Sequence, residues 1–234
     1  EAQLESNNSP RSNIRFVVTG RSGLKPVQFL PSFGDRRRRR IGILGGSFNP
    51  AHEGHLHIGR EALKRLNLDQ VWWLVSPQNP LKALETMAQA NQRLAIAKTL
   101  AAADPRILVT DVEQRMGDNR TAHSLQSLCR HYPNLRFVWL MGSDNLAEIP
   151  RWWRWTSVFN TVRVAVLDRS PYSYISLGGS AVSRYARFRA VKPLSIWFHS
   201  PPSWTYITIR RHPASATEFR AKLSLAAQIK YSNQ

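Results

Sequence analysis

Beyond residue 40 the chain alternates two hydrophobic rhythms. Runs dominated by consecutive apolar residues occur at Ile41–Leu44, Val71–Val75, Ile107–Thr110, Arg136–Met141, Val162–Leu167 and Leu194–Phe198. Their length and their β-branched or aromatic content predict buried parallel strands. Between them the spacing stretches to three and four. Ile58, Ala62, Leu63 and Leu66 share one face, with Arg60, Glu61, Lys64 and Arg65 opposite, which predicts a helix from about His55 to Leu66. Leu94, Ala97 and Leu100 or Ala101 predict a second helix over about Met87–Ala103, ended by Asp104-Pro105. A polar loop, Asp111–Arg120, precedes a third helix with Thr121 as its N-cap, and residues 180–189 read as a short basic helix. Strands alternating with helices imply a mainly parallel α/β sheet.

The two ends break this pattern. Residues 1–40 are rich in Ser, Asn, Pro and Arg and read as a mostly disordered extension, with a short strand conceivable at Asn13–Thr19. Residues 41–212 form the folded domain. Residues 213–234 read as a basic tail with an amphipathic helix over Glu218–Lys230, carrying Phe219, Leu223 and Ala226 or Ala227 on one face.

Charge follows the same division. The formal net charge is +18. Residues 1–40 hold nine Lys+Arg and three Asp+Glu, residues 209–234 five and one, so +6 and +4 of the excess lie in the ends. Arg36 to Arg40 is unbroken. A solvated tail is the plain reading. Any nucleic-acid contact through these ends is expected to be nonspecific and salt-sensitive, because no aromatic residues interleave the run. Cys129 is the one cysteine, which excludes an internal disulfide and fits a cytoplasmic, reducing compartment. No apolar run reaches the length of a membrane span, and residues 1–40 lack the build of a secretory signal. The first residue is Glu1, consistent with a processed or trimmed start. Oligomeric state is left open, a homo-oligomer included.

The candidate chemistry centres on Ile41-Gly42-Ile43-Leu44-Gly45-Gly46-Ser47-Phe48-Asn49-Pro50-Ala51-His52-Glu53-Gly54-His55. A strand meets a Gly-Gly pair, which permits a tight turn and close approach of a ligand. Two histidines three residues apart then open a helix, whose N-terminal N–H groups and dipole favour an anion. His52, Glu53 and His55 lack further metal ligands at convincing spacing, so a phosphate is the better match than zinc. Ser76-Pro77-Gln78-Asn79-Pro80-Leu81-Lys82 leaves the second strand, stiffened by two prolines, and presents Lys82 at the edge where open α/β sheets bind ligands.

The segment Gly-Gly-Ser-Phe-Asn-Pro followed by His-x-Gly-His resembles the signature of the HIGH-superfamily nucleotidyltransferases, and among them most closely the nicotinate-nucleotide adenylyltransferases. The resemblance covers roughly residues 41–211. It implies a Rossmann-like open parallel sheet with helices on both faces. It also implies that ATP meets Gly45, Gly46, Ser47, Phe48, His52 and His55. The Pro-x-x-x-Pro-x-Lys segment, with Leu81 where the family usually has His, assigns Lys82 to phosphate charge. Arg120–Leu125 corresponds to Thr-x-Asp-Thr-Leu, with His123 in place of Asp, and gives Thr121 to the mononucleotide. Gly142-Ser143-Asp144 and the later tryptophans resemble Gly-x-Asp…Trp-x-x-Trp. That assigns Asp144 to a ribose hydroxyl and Trp152 and Trp155 to the pyridine ring, with Trp153 outside the pattern. Asn49 and Arg169 complete the mononucleotide set. Tyr206-Ile207-Thr208-Ile209-Arg210-Arg211 stands against a family Ser-Ser-Thr-x-x-Arg that opens a helix around the triphosphate. Thr208 and Arg211 keep the spacing, while Tyr206 and Ile207 replace the serines.

The implied reaction is adenylyl transfer from ATP to nicotinate mononucleotide. His52, His55, Lys82 and Arg211 would be its catalytic groups, and Mg²⁺ would bridge ATP oxygens through water without a protein carboxylate cage. Three alternatives stand beside it. They are an adenylyltransferase for the amide mononucleotide, one for phosphopantetheine, and a degenerate homologue that binds nucleotide or nucleic acid without catalysis.

Overall fold

The computed structural model describes residues 38–77, 89–168 and 177–210. In chain order these form β1 (Arg40–Gly46), α1 (Glu53–Arg65), β2 (Gln70–Val75), α2 (Ala90–Ala101), β3 (Ile107–Thr110), α3 (Val112–Met116) and α4 (Thr121–His131). Then come β4 (Arg136–Gly142), α5 (Ser143–Glu148), α6 (Trp155–Thr161), β5 (Arg163–Asp168), α7 (Ser180–Tyr185), β6 (Arg189–Ala190) and β7 (Trp204–Thr208). The expected extension before residue 38, Lys82, Arg169, Arg211 and the tail helix lie outside the described residues.

The seven strands make one sheet in the order β3-β2-β1-β4-β5-β7-β6, and every adjacent pair is parallel. The chain works outward from β1 to β3, then starts its second half at β4 on the other side of β1. Strand order therefore reverses between β1 and β4, and a crevice opens at their carboxyl ends. This is the parallel sheet that the strand–helix alternation implied and the Rossmann-like order that the family resemblance implied.

Burial explains the apolar runs. Val71, Trp72, Trp73 and Leu74 are fully buried, as are Val164 to Leu167. Trp72 meets Tyr132 and Phe137 edge-on. Helix α1 buries Leu56, Ile58, Ala62 and Leu63, the face its spacing foretold.

Four expectations need correction. Leu194–Phe198 is not a strand but part of a 3-10 turn, Pro193–Phe198. Pro193 has no N–H for a ladder and its fixed φ suits a helical first turn. The sheet's later strands are β6 and β7 instead, so Tyr206 to Thr208 end a strand rather than open a helix. The β-branched and aromatic run Trp204–Thr208 carries that preference. The polar loop 111–120 contains α3, ended by Gly117 in the left-handed region at φ 66°. Finally, Arg120 and not Thr121 is the N-cap of α4, because Asp118 holds the Arg120 N–H at 2.9 Å.

Candidate active site

Gly45 and Gly46 are the last residues of β1, and the turn itself belongs to Phe48, at φ 45°. Gly45 is demanded by close packing: a Cβ there would lie 2.2 Å from the Trp139 ring of β4. Gly46 is different, since its nearest neighbour would be 3.6 Å away. Phe48 is buried, stacks on Trp73 at 5.2 Å and meets the His55 ring at 4.7 Å. The turn is thus pinned by an aromatic side chain, and the Asn49-Pro50 peptide is cis.

The two histidines cap α1 reciprocally. His52 Nδ1 accepts the Gly54 N–H at 3.1 Å, and His55 Nδ1 accepts the His52 N–H at 3.2 Å. A capping box normally uses a hydroxyl and a carboxylate; here two imidazoles fill both places. The consequence is chemical. A ring whose Nδ1 accepts a main-chain N–H carries its proton on Nε2 when neutral. When neutral, both rings, 4.0 Å apart, therefore carry an Nε2–H beside the amino end of a thirteen-residue helix. Donors of this kind at a helix N-terminus suit a phosphate.

Sequence reasoning passed over Arg93. It is 1% exposed and donates to the main-chain carbonyls of Ser47, Ser76 (2.8 Å) and Pro77 (2.7 Å). Burial lowers its pKa. One side chain of α2 thereby ties the loop after β1 to the loop after β2. Its signal was present, an arginine at an inward helical position near Leu94 and Ala97, but the pattern named only the apolar members.

Glu113 was also passed over, because α3 was read as loop. It is 3% exposed and accepts hydrogen bonds from the hydroxyls of Ser124 (2.9 Å) and Ser76. Burial pushes its carboxyl up to about 7. Ser76 thus meets Arg93 through its carbonyl and Glu113 through its hydroxyl. Next to this, Asp118 grips the Arg120 guanidinium (2.6 Å) and lies 2.7 Å from His123 Nδ1. Arg120 and, less strongly, His123 hold the Asp118 carboxyl well below its usual range.

On the other side of the crevice, Asp144 is exposed in the first turn of α5. Ser143 is buried and donates to Asp168, at the end of β5, at 3.3 Å. The tryptophans separate. Trp152 meets Trp139, itself over Gly45, edge-on at 6.4 Å. Trp155 instead packs against Phe159 and Tyr185. Trp153 lies beneath the Arg120 and Arg154 guanidiniums, at 4.4 and 4.7 Å. Thr121, the first residue of α4, follows Arg120 directly. Thr208 is exposed at the end of β7, in register with Asp168. The chain then returns to α1, where Arg210 O lies 2.6 Å from His57 Nε2. Cys129 is no thiolate at neutral pH, since burial pushes its thiol up to about 11. Among the described residues no cluster of three or more His, Cys, Asp or Glu gathers for a metal, and no helix is long and apolar enough to cross a membrane.

Comparison with known proteins agrees with this geometry. The cytidylyltransferase-like family model matches residues 43–222. A protein of Cereibacter sphaeroides named probable nicotinate-nucleotide adenylyltransferase is 47% identical over 181 residues, 77% of this chain and 96% of that one. One of Methylorubrum extorquens with the same name is 43% identical over 185 residues, 78% of this chain and 100% of that one. The fold is shared with the solved structure of Plasmodium falciparum nicotinic acid mononucleotide adenylyltransferase complexed with NaAD. It has a TM-score of 0.60 and 16% identity, and the match covers 79% of this chain and 83% of that one.

Proposed function

Since the chain belongs to the cytidylyltransferase-like family, and within it to the nicotinate-nucleotide adenylyltransferases, we propose that it transfers the adenylyl group of ATP to nicotinate mononucleotide, giving deamido-NAD and pyrophosphate in NAD biosynthesis. The observation that carries this reading is the reciprocal cap of His52 and His55 at the sheet's switch point.

The attacking group, the mononucleotide phosphate, is already an anion at neutral pH. The protein's task is therefore alignment and charge stabilisation rather than base catalysis. ATP lies along Gly45, Gly46, Ser47 and Phe48. The Nε2–H groups of His52 and His55 donate to phosphate oxygens as charge moves toward the leaving pyrophosphate. The mononucleotide occupies the β4 side. Trp152 faces its pyridine ring, Asp144 a ribose hydroxyl, and Thr121 its polar substituent, with Asn49, Lys82 and Arg169 completing the pocket. Trp155, packed on Phe159 and Tyr185, supports the segment that carries Trp152.

Thr208 ends a strand, which changes the triphosphate assignment. The spacing Thr-x-x-Arg recurs, now with a serine two places before the threonine, at Ser215-Ala216-Thr217-Glu218-Phe219-Arg220, outside the described residues and within the family match. We assign the triphosphate chiefly to this second occurrence, with Thr208 and Arg211 beside it. The His57–Arg210 contact supports a chain path past α1 at this point.

Mg²⁺ bound with ATP would supply charge neutralisation. The donor set fits an ion that keeps its waters, because the histidine Nδ1 atoms are used by caps and, among the described residues, no three His, Cys, Asp or Glu gather to hold a metal. We place the reaction in the cytoplasm, a reading supported by its need for ATP.

The deciding experiment measures pyrophosphate release with ATP, Mg²⁺ and either nicotinate mononucleotide or its amide. Release dependent on the acid, and lost in His52→Ala, supports the proposal. Preference for the amide, or no release with either, overturns it.

A further inference from the structure

The amino edge of the sheet lies opposite the histidines. Arg40, Arg136 and Arg163 stand at the starts of β1, β4 and β5, and all three guanidiniums cover one indole, Trp197, at 5.2 to 5.3 Å from its centre. No two of them are further apart than twice that distance. Arg136 donates to Trp197 O, and Arg163 to Ile196 O (3.0 Å) and His199 O (2.6 Å). The indole N–H donates to Leu66 O at 2.8 Å, which anchors the turn Pro193–Phe198 to the end of α1.

Carbonyls satisfy geometry without cancelling charge. Among the described residues no carboxylate pairs with any of the three guanidiniums; Asp69 takes only the main-chain N–H of Arg40, at 2.7 Å. Lys64, Arg65 and Lys192 add to the cluster, lining a shallow cleft with Pro193 and Leu194, and of these Arg65 pairs with Glu61. The pKa of Arg136 falls through burial and the neighbouring arginines, and that of Arg163 is lowered to about 10 by burial and Arg136.

The same turn exposes apolar surface. Phe198 is 85% exposed, and Leu194 and Val191 are exposed beside it. An aromatic ring at the rim of a basic cluster combines a stacking platform with phosphate contacts, the pairing that single strands recognise. The chain's own ends are basic and are poor occupants by charge. Arg136 and Arg163 each keep N–H donors beyond those used, since a guanidinium has five.

We propose that the Pro193–Phe198 turn and the arginines around Trp197 form a docking surface for single-stranded nucleic acid, with a base on Phe198 and phosphates on Arg40, Arg136, Arg163 and Lys192. The surface lies at the edge opposite the adenylyl-transfer site and is independent of it.

The test is anisotropy of a labelled fifteen-nucleotide oligo(dT) titrated with the full chain across a salt series. Phe198→Ala and Lys192→Gln alter exposed side chains, so folding and adenylyl transfer are expected to persist. Phe198→Ala should weaken binding about fivefold or more, the loss typical of one stacked base. The double variant Arg136→Gln/Arg163→Gln should lower the salt slope by about 1.4, the share of two phosphates on a single strand. Unchanged affinity in both exposed-residue variants, with binding retained, assigns it to the basic ends and overturns the proposal. So does inorganic tripolyphosphate competing as well as the oligonucleotide while Phe198→Ala has no effect. Self-association lost in Phe198→Ala, without oligonucleotide binding, makes the surface a contact between copies and overturns it too.

Discussion

Arg93 reaches Ser47, 46 positions earlier, and fixes the loop that carries the site from outside the site. Its guanidinium donates to carbonyls of both loops and sets where they stand. Arg93→Met leaves carbonyls of Ser47, Ser76 and Pro77 without their donor, and should cost at least ~2 kcal/mol in urea unfolding. The kcat/KM for both substrates should fall about tenfold or more through misplacement of the loops. Arg93→Lys, with one ammonium for three carbonyls on two loops, should fall between.

His52 and His55 are expected to act as a unit. Either alanine variant should lower kcat by about 10²-fold or more, as loss of one preorganised donor does. The double variant should lose less than the product of the two, since the two rings pack 4.0 Å apart and serve one anion site. Thermal stability should change little, by the ~1 kcal/mol of a helix cap.

Glu113 gives stability its own pH dependence. Its carboxyl moves from about 4.5 to about 7 on folding. The unfolded chain therefore releases this proton first, and the contribution is fully present below about 4.5 and lost as pH rises to about 7. The size is about 3 kcal/mol at one pKa unit per ~1.4 kcal/mol. Glu113→Gln should flatten the fall between pH 5 and 7 in urea midpoints measured across that range. Asp118 runs the other way, its stabilisation lost only as pH falls below its unfolded value of 3.8, outside this window.

Trp152 and Trp155 should separate in kinetics. Trp152→Ala should raise the KM for nicotinate mononucleotide about 2- to 10-fold, the worth of one aromatic stack. Trp155→Ala should chiefly lower thermal stability, because its ring packs on Phe159 and Tyr185. A rise in the ATP KM alone for Trp152→Ala would move the pyridine ring elsewhere.

Arg220 and Arg211 offer a direct comparison. Arg220→Ala should raise the ATP KM and lower kcat more than Arg211→Ala, measured by initial rates at saturating mononucleotide. The reverse order would restore the triphosphate to the earlier Thr-x-x-Arg.

The sequence by itself determined the alternation of buried strands and amphipathic helices, because period and burial are local properties of consecutive residues. It also determined the strand–turn–helix around His52 and His55, since that motif lies within fifteen positions. Only the tertiary structure decided the rest. The reversal between β1 and β4, the Trp139 ring that demands Gly45, and the Arg93 clamp all join residues far apart in the chain. The division of Trp152 from Trp155 was invisible to a spacing of three, because what differs is the neighbour each ring meets. The run Leu194–Phe198 is apolar enough for a strand, yet Pro193 and the arginines of three strand starts make it a turn. Local pattern tells how a segment prefers to fold; which partner completes its hydrogen bonds and buries its rings is settled only when the whole sheet is assembled.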